Sequence, residues 1–176
     1  MLPTTRRPST TARRAAALAV PGLLVLALTG CGALDSPAEA PRESPGGEVT
    51  EAADADVFTV EVGDCLNGSA VGEEGALTES LPVVPCSEPH DGEVYAETEL
   101  PAGEFPGADA LQAQGDEFCA AQFETFVGIP YDDSVYYQWS LTPTEEGWAA
   151  LDDRVVQCVL DTDGELVTGS LQGAAK

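Results

Sequence analysis

Apolar and polar positions alternate over residues 57–62 (Val57-Phe58-Thr59-Val60-Glu61-Val62), the two-residue period of a half-buried strand, and Gly63-Asp64 then turns the chain into Cys65-Leu66. Residues 68–80 predict a loop. Residues 81–86 predict a short strand that Pro82 and Pro85 confine to a sheet edge, because proline cannot donate to a ladder. Residues 92–100 alternate again, with Val94, Ala96 and Thr98 set against Tyr95 and the acids. The period becomes helical over 109–127, where Leu111, Phe118, Cys119, Gln122 and Phe126 fall within about one 80° arc of a helical wheel. Asp109 and Gln112 have the spacing of a capping box at the start of this helix, and Gly128 and Pro130 stop it. Residues 135–141 are aromatic-rich and strand-like, and alternation puts Tyr137 and Trp139 on one face, Tyr136 and Gln138 on the other. Thr142-Pro143-Thr144-Glu145 is a helix start with Thr142 as cap and Pro143 at the first helical position; the short helix runs to about Leu151. Residues 154–161 and 165–171 flank Thr162-Asp163-Gly164 and predict a hairpin. The sum is an α+β fold: a small, mostly antiparallel sheet of about five or six strands with one longer and one short helix.

Upstream the pattern is of another kind. Residues 15–28 are apolar apart from an interruption at Pro21-Gly22, too short a run to cross a bilayer, which takes roughly 20 apolar residues. A basic, threonine-rich stretch carrying Arg6, Arg7, Arg13 and Arg14 precedes it, which is the layout of a secretory signal. Leu28-Thr29-Gly30-Cys31 resembles the lipobox of bacterial lipoproteins. The resemblance implies a signal peptide over 1–30 and a diacylglyceryl group, with its palmitate-type chains, on the Cys31 thiol. Two chains suffice for stable anchoring where one is marginal, so the expected location is the extracytoplasmic face of the cell membrane. Residues 31–56 hold the lipidated cysteine and then Pro37, Pro41, Pro45, Gly46, Gly47 and many acids, with almost no large apolar residue. Such a segment buries too little surface to offset its ordering entropy, and we expect a disordered acidic linker reaching roughly 25–30 Å. The domain proper is expected over 57–173.

Charge narrows the partners. The chain has a formal charge of −24, but four of its seven bases precede Cys31 and no acid precedes Asp35. From Cys31 onward three bases stand against 31 acids, a formal charge of −28. A surface this negative repels nucleic acid and anionic headgroups and favours cationic or metal-bearing partners. Biased amino-acid usage, rich in Ala, Gly, Glu and Asp, accounts for much of it.

Four cysteines fall inside the domain: Cys65, Cys86, Cys119 and Cys158. In an exported chain they imply two disulfides, for which three connectivities exist. We expect Cys65–Cys86, clipping a loop rich in Gly and Glu between two strands, and Cys119–Cys158, tying the helix to a late strand. A four-cysteine zinc site is disfavoured because no Cys-x-x-Cys pair occurs.

Three segments carry a family likeness: Val62-Gly63-Asp64-Cys65-Leu66, the run from Val84-Pro85-Cys86 through Pro89-His90-Asp91-Gly92-Glu93-Val94-Tyr95, and Pro143-Thr144-Glu145-Glu146-Gly147-Trp148 with Arg154-Val155-Val156-Gln157-Cys158. In this order they resemble the septum formation family of extracytoplasmic domains from actinobacterial lipoproteins and membrane proteins. The likeness covers most of residues 60–172. It implies an extracytoplasmic domain connected with cell division and says little about mechanism.

Candidate chemistry is sparse. His90 is the only histidine. With Asp91 and Glu93 it could contact a ligand on a tight loop; the structural alternative is a histidine that caps or hydrogen-bonds the turn beside Cys86. A zinc site would need further nitrogen or sulfur donors, and we expect no metal and no cofactor. Trp139 and Trp148, with Tyr136 and Tyr137, could supply rigid contact area for a glycan or peptide, or complete the core. Arg154, the only base between 57 and 173, is expected to pair with Asp152, Asp153 or a helix carboxylate. No Gly-x-Ser-x-Gly elbow is present. Asp161-Thr162-Asp163-Gly164 lacks calcium-loop spacing and reads as a turn. The expected function is a non-enzymatic, membrane-anchored interaction domain that meets an envelope or division protein. The alternatives are a small envelope hydrolase using carboxylates and a cation- or metal-binding envelope protein.

Overall fold

The computed structural model describes residues 37–67 and 79–176. The leader, Cys31 and most of the loop expected over 68–80 lie outside the described residues. Six strands form one antiparallel sheet: β1 (Ala53–Asp56), β2 (Cys65–Leu66), β3 (Ser80–Val84), β4 (Gly92–Glu99), β5 (Tyr137–Leu141) and β6 (Val155–Asp161), in the order β1-β3-β2-β4-β6-β5. A long helix, α1 (Ala108–Val127), packs against β5, β6 and β4, and a one-turn π-helix spans Gly147–Leu151. Among the described residues no helix is long and apolar enough to cross a membrane.

The two faces of the sheet carry separate cores. On the helix face Cys119, Phe123 and Val127 of α1 meet Tyr95, Tyr136, Cys158, Leu160 and Leu171. The buried stripe of α1 is Leu111, Gly115, Cys119, Phe123 and Val127, a strict four-residue series, while Phe118, Gln122 and Phe126 flank it half-buried. Gly115 belongs to the stripe because α1 comes so near β5 that a Cβ there would lie 2.7 Å from the Ser140 hydroxyl. The helix starts at Gly107 with no side-chain cap: Asp109 sits in the first turn, and Gln112 reaches Asp116 and Ser140 rather than back to a cap. At the other end Gly128, at φ 95°, takes the left-handed conformation that ends helices and donates to Glu124 O at 2.9 Å.

The second face is where expectation and structure part. Residues 37–56, expected as tether, lie on it. Arg42 bridges to Val49 in a small hairpin, and Ala40, Val49, Ala55 and Val60 pack on Leu66, Leu81, Val83, Val94 and Val159. Arg42 fastens this strap: Nη1 and Nη2 each donate to one Asp64 carboxylate oxygen at 2.6 Å, and the same group reaches Gly47 O and Thr59 O at 3.2 and 3.3 Å. Asp64 also accepts the Glu61 N–H at 2.8 Å, so the buried carboxylate is fully engaged.

Other differences follow from long-range pairing. The strand expected over 57–62 ends earlier, at Asp56, whose carboxylate accepts the Phe58 N–H and starts a 3₁₀ turn over Val57–Thr59. β3 is interior rather than an edge because β1 covers it, and Pro82 is accommodated by accepting from Asn67 N–H instead of donating. A bulge in β4 between Val94 and Ala96 turns Tyr95 and Ala96 both toward α1 while Val94 faces the strap. The short helix is capped by Thr144, which accepts the Gly147 N–H at 2.9 Å, two residues later than expected. Residues 165–171 do not return beside β6; β4 and β5 hold both its sides, and the chain makes only a single bridge, Val167 to His90.

Both disulfides pair as expected, Cys65–Cys86 and Cys119–Cys158, with Cα separations of 5.2 and 5.4 Å. They close loops of 21 and 39 residues, worth about 3 and about 4 kcal/mol through the unfolded state.

Arg42 is the first of three basic residues from Cys31 onward, so trypsin reads the strap directly. The native, oxidised chain is expected to resist cleavage after Arg42. Asp64→Asn should be cut there at least about tenfold faster, because cleavage follows the open population. Cleavage of the unaltered chain at the rate of an unfolded peptide would return the strap to a loose tether.

Candidate functional site

The residues singled out in the sequence fall at three places. His90, Asp91 and Glu93 sit at the start of β4, all three buried. His90 exchanges both backbone hydrogen bonds with Val167, at 3.0 and 2.8 Å, and its Nδ1 lies 2.9 Å from Glu88 O; its Nε2 is buried without a partner among the described groups. The Asp91 backbone accepts Thr162 N–H and hydroxyl at 2.9 and 3.1 Å. Glu93 receives the Ser170 hydroxyl at 2.8 Å and the Leu171 N–H at 2.5 Å. Burial holds its carboxyl above the ordinary range, against the opposing pull of those two donors and of His90. The group clamps the C-terminal segment onto the sheet. Among the described residues no set of three His, Cys, Asp or Glu side chains could hold a metal ion.

Trp148 and Arg154 lie at the far end of β4, about 25 Å along an eight-residue strand. The Arg154 guanidinium stands 3.8 Å over the Trp148 ring, a cation–π contact strengthened by burial of both. Arg154 also donates to Trp148 O, Asp153 O and the Asp152 carboxylate, at 2.9, 2.7 and 2.8 Å. The indole N–H donates to Gly103 O at 2.9 Å, and Phe105 meets the ring edge-on. This cluster pins residues 103–105 and the π-helix to the start of β6.

Trp139 is placed differently. It is half-buried against the strap-side core and lines an open groove of about 2120 Å³ that follows β5. The groove is bordered by the first half of α1, by residues 142–147, and across the sheet by Val155, Gln157 and the 3₁₀ turn with Phe58. Its lining includes ten carboxylate side chains and no base. Its apolar surface is partly bare: Phe58, Leu151 and Val155 are exposed, and Tyr137 is exposed beside it. Polar order is imposed by Ser140, whose hydroxyl lies 2.9 Å from both Gln112 and Asp116. Gln157 fixes the floor by donating to Val60 O at 2.7 Å.

Of the six candidate contact residues, only Trp139 thus lines the groove. Sequence reasoning passed over Phe58, Asp116 and Ser140, whose roles arise from pairing across the sheet. It also passed over Arg42, for which a signal existed: a lone arginine among so many acids has a high chance of an ion pair.

Glu93 gives a pH test. A carboxyl whose folded pKa exceeds its ordinary value of 4.5 contributes stability that is complete below that value and lost as pH rises through the folded pKa. Relative to Glu93→Gln, the unaltered chain should therefore gain stability as pH falls from neutrality toward 4.5. Denaturant midpoints at the two pH values check this; a difference that stays constant would refute the buried acid.

A family model described as septum formation matches residues 62–175. No curated protein and no solved structure matches the chain.

Proposed function

The chain belongs to the septum formation family, and from that membership together with the groove beside β5 we propose that it is a non-enzymatic interaction domain held at the outer face of the cell membrane. The family ties the chain to cell division or the envelope. The observation that carries the interaction reading is the groove itself: long, open, partly apolar, and ringed by carboxylates with no base. Such a surface suits an extended or helical cationic partner, since opposite potentials steer encounter and fix register.

Anchoring through Cys31 is the part supported by sequence alone, by Leu28-Thr29-Gly30-Cys31 after a basic and then apolar leader. The strap bears on it physically. Because Ala38 already accepts from Asp56 N–H and Thr59, the chain from Cys31 to Pro37 can reach at most about 22 Å. The domain would then stay close to the lipid surface, where a tether running to residue 56 would let it stray farther. Anionic headgroups repel it, which keeps its groove turned to proteins rather than lipid.

Metabolic labelling with a palmitate analogue and proximity labelling in dividing cells test the two halves separately. Cys31→Ala should lose the label and release the chain or leave it unprocessed. The unaltered chain should mark envelope or division proteins above a secreted control; labelling no stronger than that control sinks the interaction reading.

A further inference from the structure

The sheet has two edges, and they are built in opposite ways. β1 is four residues, Ala53-Asp54-Ala55-Asp56, with a carboxylate at every second position. Short length and charge are how natural sheets blunt an edge against further pairing. β5 is Tyr137-Gln138-Trp139-Ser140-Leu141: five residues, no charge, no proline, two aromatics. Its inner side pairs with β6 in continuous register from Tyr137↔Asp161 to Leu141↔Gln157. Among the described residues no backbone hydrogen bond joins 137–141 to any other segment. The groove reaches this strand, lined by Gln138, Trp139, Ser140 and Leu141, and continues across the sheet to Glu97 and Gln157.

We propose that the outer edge of β5 is a strand-addition site that takes an extended, lysine- or arginine-bearing segment of a partner protein. This rests on the interaction reading above and names where and how the contact is made. The backbone groups of an unpaired edge supply affinity without sequence preference, and flanking side chains supply selection. Here the flanks are Asp116 on α1 and Glu145, Glu146 and Asp153 beyond the strand, with Glu61 and Glu97 across the sheet, so cationic residues of an added strand meet carboxylates. The next face offers Trp139 and Leu141, half-buried and apolar, to the residues between. An added strand with alternating cationic and apolar residues satisfies both. A second copy of this chain does not: it would bring another strongly acidic surface against the same carboxylates.

The probe is the peptide acetyl-Lys-Val-Lys-Val-Lys-Val-amide, titrated calorimetrically into the full chain in detergent micelles. Binding with a dissociation constant below about 1 mM is expected. The same peptide N-methylated at every residue keeps its charge but loses the backbone N–H donor of each residue, and should bind at least tenfold more weakly. Tyr137→Lys puts a repelling charge on the free edge and should weaken the parent peptide at least tenfold. Asp54→Lys on the opposite edge should change it less than threefold. Equal binding of the N-methylated peptide would reduce the effect to charge alone and overturn the proposal, as would a larger loss from Asp54→Lys. A dimer that Tyr137→Lys dissolves would overturn it too, by giving the edge to a second copy. Proximity labelling in cells separates this inference from the reading it rests on: envelope partners retained undiminished by Tyr137→Lys would remove the edge and leave the interaction domain standing.

Discussion

A single twenty-residue helix covers one face of a six-stranded sheet and leaves the other bare, and the Arg42–Asp64 ion pair is what closes that second face. Both groups are largely withdrawn from water, and a buried pair earns stability only if its remaining hydrogen-bonding capacity is met. Here it is, by Gly47, Thr59 and Glu61. The pair joins the hairpin around Arg42 to the turn that leads into β2, so the strap, β1 and the disulfide at Cys65 are fixed at one place. Removing either partner would strand the other, a loss of about 3 kcal/mol or more in such settings. The apolar strap residues Ala40, Val49 and Ala55 are few and small, so the ion pair and the β1–β3 ladder act together in holding the strap on the sheet.

The parts of this fold that were legible in the sequence are those whose signals are local or covalent. α1 shows through its period and its Gly128 stop, the cysteine count gives two disulfides whose expected pairing, one of three open to it, is the one formed, and β4, β5 and β6 show as β-rich runs. What stayed hidden depends on partners far along the chain. Nothing near Ala53–Asp56 announces a strand, because its pairing energy comes from β3. Pro82 reads as an edge signal only while β1 is unknown. The bulge at Tyr95 breaks the alternation that placed it opposite Ala96, and its hydroxyl then finds Cys119 O at 2.8 Å. The turn at Asp163-Gly164 has the left-handed geometry of a hairpin, yet β6 already has neighbours on both sides, so the chain is sent across to His90.

The candidate site was less legible than the fold for the same reason. Conspicuous residues, a single histidine and two tryptophans, drew attention because they are rare. Rarity turned out to mark joints for His90 and Trp148: the first holds the C-terminal segment, the second stacks beneath the one arginine of the later chain. The groove is made of common residues, serine, glutamine, leucine and acids, and becomes a site only when β5 is placed at the rim of the sheet.

Excess acidity acquires a structural meaning at this point. Surface carboxylates scattered evenly would serve solubility alone. In this domain they sit where they shape pairing: within β1 they close one edge, and around β5 they leave the backbone open while choosing the sign of what approaches. On the proposed reading, the repulsion that would oppose two copies joining edge to edge would also keep an uncharged aromatic strand from pairing with its like. An open edge and a strongly negative rim are therefore one device, since either alone would give a sticky strand or an indifferent surface.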